Sequence, residues 1–349
     1  MSQRGTIFIA SDYILDDPWL TEIAIELERR GMTVIRGPKQ QPPARMEFAR
    51  ADWERYFGKA DVILSSSRAV LPRPLLEWAP RLRAIIAPTA GTESIDQAAA
   101  NELGIIIGNG PFPENYNSMA ESTMLLMLAL MYDLHGTEKV MAGNLPRPKI
   151  YNAQMMMGKT IGLIGLGKIA RALVERLQGW HVRILSLDRP SRQGPPPPGV
   201  QLVPMEQLLR ESDIVSLHTT LTPETRGMIG EAQLRLMKPG AYLVNTARGG
   251  MIDEQALYRA LAEKRIAGAA LDAFELEPLP MDHPFRTLDN VILTSHMVGH
   301  TREIYRAIPR TAYDNIARVL RDELPLYTHN PQTEGRWRQR LARLGPVTP

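Results

Sequence analysis

The sequence predicts an α/β protein of two domains, each a parallel sheet covered by helices in the doubly wound manner. Three observations carry that expectation. β-branched and apolar runs alternate with helical runs from residue 6 to residue 108, and again from 160 to 294. A length of 349 residues is too great for one ordinary α/β domain and suits two. A glycine-rich turn at 165–170 follows a strand in mid-chain, with strand–helix units on both sides of it, so the second domain begins well inside the sequence.

The elements follow in order. Residues 6–10 read as a strand, 18–30 as an amphipathic helix closed by Gly31, and Thr33–Arg36 as a strand. Strands are expected at 61–65, 82–87 and 104–108, and a helix at 95–103; 37–50 reads as loop with a weak helix. Residues 119–134 form a long helix rich in Met and Leu, with an apolar surface too wide for one packed face. After it, 135–157 reads as an irregular, proline-bearing arm that reaches over a neighbouring subunit. Alternation resumes with strands at 160–164, 182–187, 213–217, 241–245, 267–271 and 291–294. Four consecutive prolines in 194–199 read as a stiff surface loop. The chain closes with a helix at 301–322 and a basic amphipathic tail at 336–343, read as a solvated helix. This order gives a discontinuous outer domain (1–117 with 300–349), a central domain (118–299) and a cleft between them that holds the active site.

The central stretch, 158–190, bounds the chemistry. An apolar strand ends at Gly165-Leu166-Gly167-Lys168-Ile169-Ala170, a helical run follows, and a second strand ends in Asp188, 21 residues past Gly167. Gly165 permits the tight turn, Gly167 lets the backbone approach a pyrophosphate, and the small Ala170 keeps helix and strand close. The helix N-terminus offers N–H groups and a positive dipole end to phosphates. Asp188 can accept from both hydroxyls of an adenosine ribose and repels a 2′-phosphate, so NAD is expected over NADP. Arg189 and Arg192 oppose that choice; Arg189, just before Pro190, is expected to swing to solvent.

Composition excludes several classes. With 41 basic and 38 acidic residues the net charge is +3, too balanced to argue for nucleic acid. The chain has no cysteine, which removes disulfides, thiolate metal sites and a cysteine nucleophile, and no metal is expected. Its apolar runs fall far short of the roughly 20 residues that span a bilayer, and the N-terminal run reads as a strand, so a cytoplasmic protein is expected.

Five segments, in order, resemble the D-isomer-specific 2-hydroxyacid dehydrogenases. They are Ala90-Gly91-Thr92-Glu93-Ser94-Ile95-Asp96, the fingerprint at 165–170, His218-Thr219-Thr220-Leu221-Thr222-Pro223-Glu224-Thr225, Val244-Asn245-Thr246-Ala247-Arg248-Gly249-Gly250, and Leu271-Asp272-Ala273-Phe274-Glu275-Leu276-Glu277-Pro278 with Ser295-His296-Met297-Val298-Gly299 behind it. The resemblance covers roughly residues 60–325. It implies two Rossmann-like domains, the outer one flavodoxin-like, and hydride transfer between NAD(H) and a small 2-hydroxy or 2-oxo acid. Arg248, Glu277 and His296 then form the catalytic set. His296 is the acid/base at the reacting oxygen, Glu277 stabilises its imidazolium, and Arg248 clamps a carboxylate at two points.

The resemblance also implies cofactor contacts from Gly165, Gly167, Lys168, Ile169, Asp188, Thr219, Thr225, Ala247 and Asp272. Substrate contacts fall to Ala90, Gly91 and Thr92, with Arg68 beside a distal anionic group, as phosphoglycerate-type members also carry a basic residue there. It agrees with a homodimer through 119–134 and 135–157. Ser295, Thr220 and Ala170 depart from the pattern, and 109–121 runs one residue long, which bears on substrate more than on reaction. Two other readings stay open: a dinucleotide-sensing, corepressor-like regulator, and a formate- or phosphite-type dehydrogenase. The formate type resembles this pattern with glutamine where Glu277 stands.

Overall fold

In the computed structural model, residues 3–42, 44–146, 153–189 and 194–348 are described. The chain divides into two units, Met1–Asn115 with Thr301–Pro349, and Tyr116–His300.

The first unit is built on a five-stranded parallel sheet in the order Thr33–Arg36, Thr6–Ile9, Val62–Leu64, Ala84–Ile86, Ile106–Gly108. Its three inner strands are buried and, Thr6 apart, apolar, as a parallel sheet covered on both faces requires. One face packs on the helices Thr21–Arg29 and Arg302–Leu320 through Ile23, Leu27, Ile308 and Ile316. The other carries Phe8, Phe57, Leu75 and Ala99. The side chain of Asp96 caps the helix Gln97–Leu103 by accepting from Ala99 N at 2.8 Å. Strand order reverses between Thr6–Ile9 and Val62–Leu64, so the loops after these strands flank a topological switch point.

The tail corrects the sequence reading. The helix Glu334–Leu344 is docked, not solvated. Trp337 is fully buried and donates to Arg83 O at 3.0 Å. Arg340 donates to the carbonyls of Leu82, Ala79 and Leu103 at 2.6, 3.1 and 3.3 Å, and burial pushes its pKa down. Arg336, Arg338 and Arg343 are exposed, as a basic amphipathic helix implies; Arg340 turns inward to carbonyl ends that need donors, which charge patterning does not reveal. A helix at Arg73–Trp78, opened by Pro74, also went unread.

The second unit carries a seven-stranded parallel sheet in the order Val291–Leu293, Gly268–Leu271, Tyr242–Asn245, Ile214–Leu217, Thr160–Ile164, Arg183–Leu187, Val200–Val203. The last of these is a half-exposed edge strand straight after the prolines, which the sequence pattern does not set apart from the proline loop. The Met-rich helix runs Pro113–Met131, starting six residues earlier than the pattern suggested because Pro113 fits a first helical turn. A second helix, Leu134–Ala142, occupies part of the stretch expected to be irregular; Asp133 begins it by accepting from Gly136 N at 3.2 Å. Of the remainder of the expected arm, residues 147–152 lie outside the described residues, as does Arg192. Among the described residues, no helix is long and apolar enough to cross a membrane.

Candidate active site

Parallel pairing aligns the ends of three neighbouring strands: Asn245 lies opposite Leu271, and Leu271 opposite Leu293. Arg248, Asp272 and His296 therefore leave the sheet at one edge, the carboxyl edge where open α/β sheets bind ligands.

Each turn is held by a short polar side chain. Asn245, fully buried, accepts from Ala247 N at 3.0 Å and donates to Arg248 O at 3.0 Å, an Asx turn that sets the start of the Arg248 loop. Arg248 is half-buried, and its Nη1 donates to Ala247 O at 2.8 Å. Gly249 follows because nothing larger fits: a Cβ there would stand 1.9 Å from Phe274 C and 2.3 Å from Glu275 N. The Arg248 turn thus lies directly on the segment that leads to Glu277.

His296 sits in the left-handed region at φ 58°, a conformation histidine tolerates better than branched residues do. Asp272, 2% exposed, stabilises it from below: its Oδ1 accepts from Thr294 Oγ1 at 2.7 Å, Met297 N at 3.1 Å and Val298 N at 3.2 Å. His296 Nδ1 meets both oxygens of Glu277, at 2.8 and 2.9 Å, and Phe274 N donates to Glu277 Oε1 at 3.1 Å. With Nδ1 turned to the carboxylate, the ring presents Nε2 outward. His283, a neighbour in sequence, instead pairs with Glu254 at 3.5 Å and caps the turn Pro284–Thr287.

The glycine fingerprint lies at this sheet's own switch point, between Thr160–Ile164 and Ile214–Leu217. Gly165 has φ +111°, and a Cβ on it would come 2.5 Å from His218 O. Gly167 is the opposite case: a Cβ there would meet nothing within 4 Å. That open space stands at the start of the helix Lys168–Arg176, which has no side-chain cap. Lys168 is exposed and Ile169 half-buried. A helix N-terminus that opens on space at a glycine is what a dinucleotide pyrophosphate needs, so these residues fit the cofactor. Asp188 is exposed at the end of its strand. Arg189 does not swing to solvent: its Nη1 donates to Thr219 Oγ1 at 2.8 Å. Thr225 is spent locally, donating to Thr220 O and accepting from Thr222 N, each at 2.7 Å. His218 is half-buried, and the protein packed around it pushes its pKa down to about 4; its Nε2 meets Ser216 Oγ at 2.9 Å.

In the first unit, Ala90, Gly91 and Thr92 form a loop past the strand Ala84–Ile86. Ala90 O accepts from Asn109 Nδ2 at 3.0 Å. Arg68 lies after the strand Val62–Leu64, at the switch point, and contacts the fully buried Asp12 carboxylate at 3.3 Å while lying over the Tyr13 ring. Asp12 was not singled out from the sequence, where an Asp after a first strand looks like any loop acid. Asn245, quoted within its motif, carried the recognisable signal of an Asx turn ahead of a Gly-Gly pair.

Residues 124–298 match the family model of the D-isomer specific 2-hydroxyacid dehydrogenase, NAD binding domain. The chain belongs to this family. Similar proteins include a D-3-phosphoglycerate dehydrogenase of Methanocaldococcus jannaschii, 41% identical over 76% of this chain; the match spans only 51% of that relative's length. A glyoxylate reductase of Thermofilum pendens is 36% identical over 84% of this chain and 86% of its own. Among solved structures, an NAD-dependent formate dehydrogenase of Staphylococcus aureus in complex with NAD superposes with a TM-score of 0.76 at 28% identity, covering 91% of this chain and 96% of its own. NAD is the cofactor of the domain this family model describes, and the Gly165–Gly167 turn described above lies within it.

Proposed function

We propose that this chain is an NAD-dependent oxidoreductase that interconverts a small 2-oxo acid and the corresponding D-2-hydroxy acid. The observation that carries the reading is the two-oxygen contact of Glu277 with His296 Nδ1, at 2.8 and 2.9 Å, beside the Arg248 turn. The Gly165–Gly167 turn and the start of the helix Lys168–Arg176 would hold NADH, which would supply the hydride for the carbonyl carbon. Arg248 holds the carboxylate and polarises the neighbouring carbonyl. His296 delivers the proton from Nε2 to the carbonyl oxygen, and Glu277 stabilises the ring while it carries that proton. In the oxidative direction the same nitrogen takes the proton back. Ala90, Gly91 and Thr92 contribute to holding the acid, and Asp272 keeps the His296 turn in place.

Arg68 is already paired with Asp12. This favours a small acid over one bearing a distal phosphate, in line with the glyoxylate reductases among the similar proteins. Asp188 at the strand end favours NAD over NADP, with Arg189 held on Thr219 rather than turned to a 2′-phosphate. The acidic residue at 277 favours an oxo-acid reductase over a formate-type enzyme.

A homodimer through the second unit is part of the proposal. Met141 is 84% exposed and Met155 60%, and Leu125, Tyr132, Leu134 and Leu145 are exposed on the same run of chain, an apolar surface unusual for a monomer. Sedimentation giving a monomer at micromolar concentration removes the dimer without touching the chemistry. A panel of 2-oxo acids, scored by oxidation of NADH and of NADPH, tests the activity. Tight NADH binding with no turnover of any acid sinks the enzyme and favours a dinucleotide-sensing regulator.

A further inference from the structure

Thr92 sits in a three-residue hydrogen-bond chain whose other two members, Gln97 and His329, belong to none of the motifs. Gln97 Nε2 lies 3.1 Å from Thr92 Oγ1 and 3.5 Å from Thr92 O. Gln97 Oε1 lies 3.1 Å from His329 Nε2, and His329 Nε2 lies 3.4 Å from Thr92 Oγ1. His329 comes from more than two hundred residues away in the chain and is fixed from both sides. Its N–H donates to Ile107 O at 2.8 Å, and its neighbour Asn330, 2% exposed, accepts from Ile107 N at 2.7 Å.

The polarity of this chain follows from one atom. The Thr92 carbonyl can only accept, so the amide face of Gln97 turned toward Thr92 is its NH2. Gln97 Oε1 then faces His329, whose Nε2 must carry a hydrogen to donate. Burial pushes the His329 pKa down, which favours the neutral ring, and the Gln97 Oε1 acceptor sets the ring hydrogen on Nε2. Thr92 Oγ1 therefore accepts from Gln97, and it cannot donate to His329 Nε2, which already bears a hydrogen. Among the described residues, the Thr92 hydroxyl proton is left without a protein acceptor, on a residue that remains 5% exposed.

We propose that Gln97 and His329 are positioning residues that force Thr92 to act as a hydrogen-bond donor to the carboxylate of the bound acid. This deepens the reading above and rests on its assignment of residues 90–92 to the carboxylate. Specificity for an anionic acceptor is then written into a side-chain polarity: an amide at 97 turns the hydroxyl outward, whereas a carboxylate there would turn it inward.

Gln97→Glu tests this with no change of shape. The new side chain can only accept, so Thr92 donates to it and is lost to the substrate. The KM for the 2-oxo acid should rise about ten- to a hundredfold, the worth of one hydrogen bond to a charged group. The KM for NADH and the melting temperature should stay as in the unmutated protein. His329→Leu, which frees the Gln97 amide to turn over, should move the same KM in the same direction. In a Thr92→Val background Gln97→Glu should add nothing further. An oxo-acid KM within twofold of the unmutated value in Gln97→Glu overturns the proposal, as does an undiminished effect of Gln97→Glu in the Thr92→Val background. Absence of turnover by the unmutated protein with every oxo acid would instead fell the functional reading, and this inference with it.

Discussion

Replacing Gly249 by alanine should damage catalysis far more than one methyl group suggests. The added Cβ would lie 1.9 Å from Phe274 C, 2.3 Å from Glu275 N and 2.4 Å from Phe274 Cα, all backbone atoms. Carbon–carbon contacts relax to roughly 3.5 Å, so the two segments must part by about 1.5 Å. Arg248 is the residue before this contact, and Glu277 lies two residues past it. A displacement of that size at groups that bind and orient substrate costs about 10²-fold in kcat/KM. Overpacking should also lower stability by about 1–3 kcal/mol, or a few degrees to about 10 °C in Tm for a unit of this size. Gly167→Ala is the control, since nothing lies within 4 Å of its Cβ. Its Tm should not move, while the KM for NADH should rise as the methyl enters the space assigned to the pyrophosphate. Steady-state kinetics and thermal melts of both variants check this. Gly249→Ala with unaltered kcat/KM and Tm would refute the packing argument.

Other expectations follow from the same geometry. Arg248→Ala should raise the KM for the oxo acid and lower kcat together, because one group binds and polarises; a change in KM alone would confine it to binding. Asp188→Ala should weaken NADH and relax the bar against NADPH, moving the ratio of their kcat/KM values by up to about a hundredfold; an unmoved ratio would hand the preference to Arg189. His218 is neutral in the folded protein down to about pH 4, whereas its ordinary pKa is 6.5. Below pH 6.5 the unfolded chain takes up a proton that the folded one refuses. Stability that is whole above pH 6.5 should therefore fall by about 3 kcal/mol as pH drops to 4. Denaturant titrations across that range should show the loss, and His218→Gln should reduce it.

Much of the sheet was legible because buried parallel strands are written as apolar β-branched runs. The buried strand Thr160–Ile164 lies where the pattern put it, as does the partly exposed edge strand Thr33–Arg36. The failures share a cause: structure decided by partners distant in sequence. The edge strand Val200–Val203 exists because Arg183–Leu187 offers it a ladder, not because its own residues demand one. The tail helix docks on one face because Trp337 and Arg340 donate to Arg83 O, Leu82 O and Ala79 O, far away in the chain. Site residues were recognisable where the chemistry is local, as in the glycines of 165–167. The bracing of His296 by Asp272, the Arg68–Asp12 pair and the Thr92–Gln97–His329 chain depend on tertiary juxtaposition, which spacing alone does not encode.

The central claim is that His296, held by Glu277, moves the proton that accompanies hydride transfer. The most direct measurement is the rate of NADH oxidation by His296→Ala with the best 2-oxo acid, alongside the Kd for NADH of the same preparation. General-acid catalysis by His296 requires a loss of about 10²–10⁴-fold in kcat, with NADH binding unchanged. A variant that binds NADH normally and turns over at the unmutated rate would contradict it.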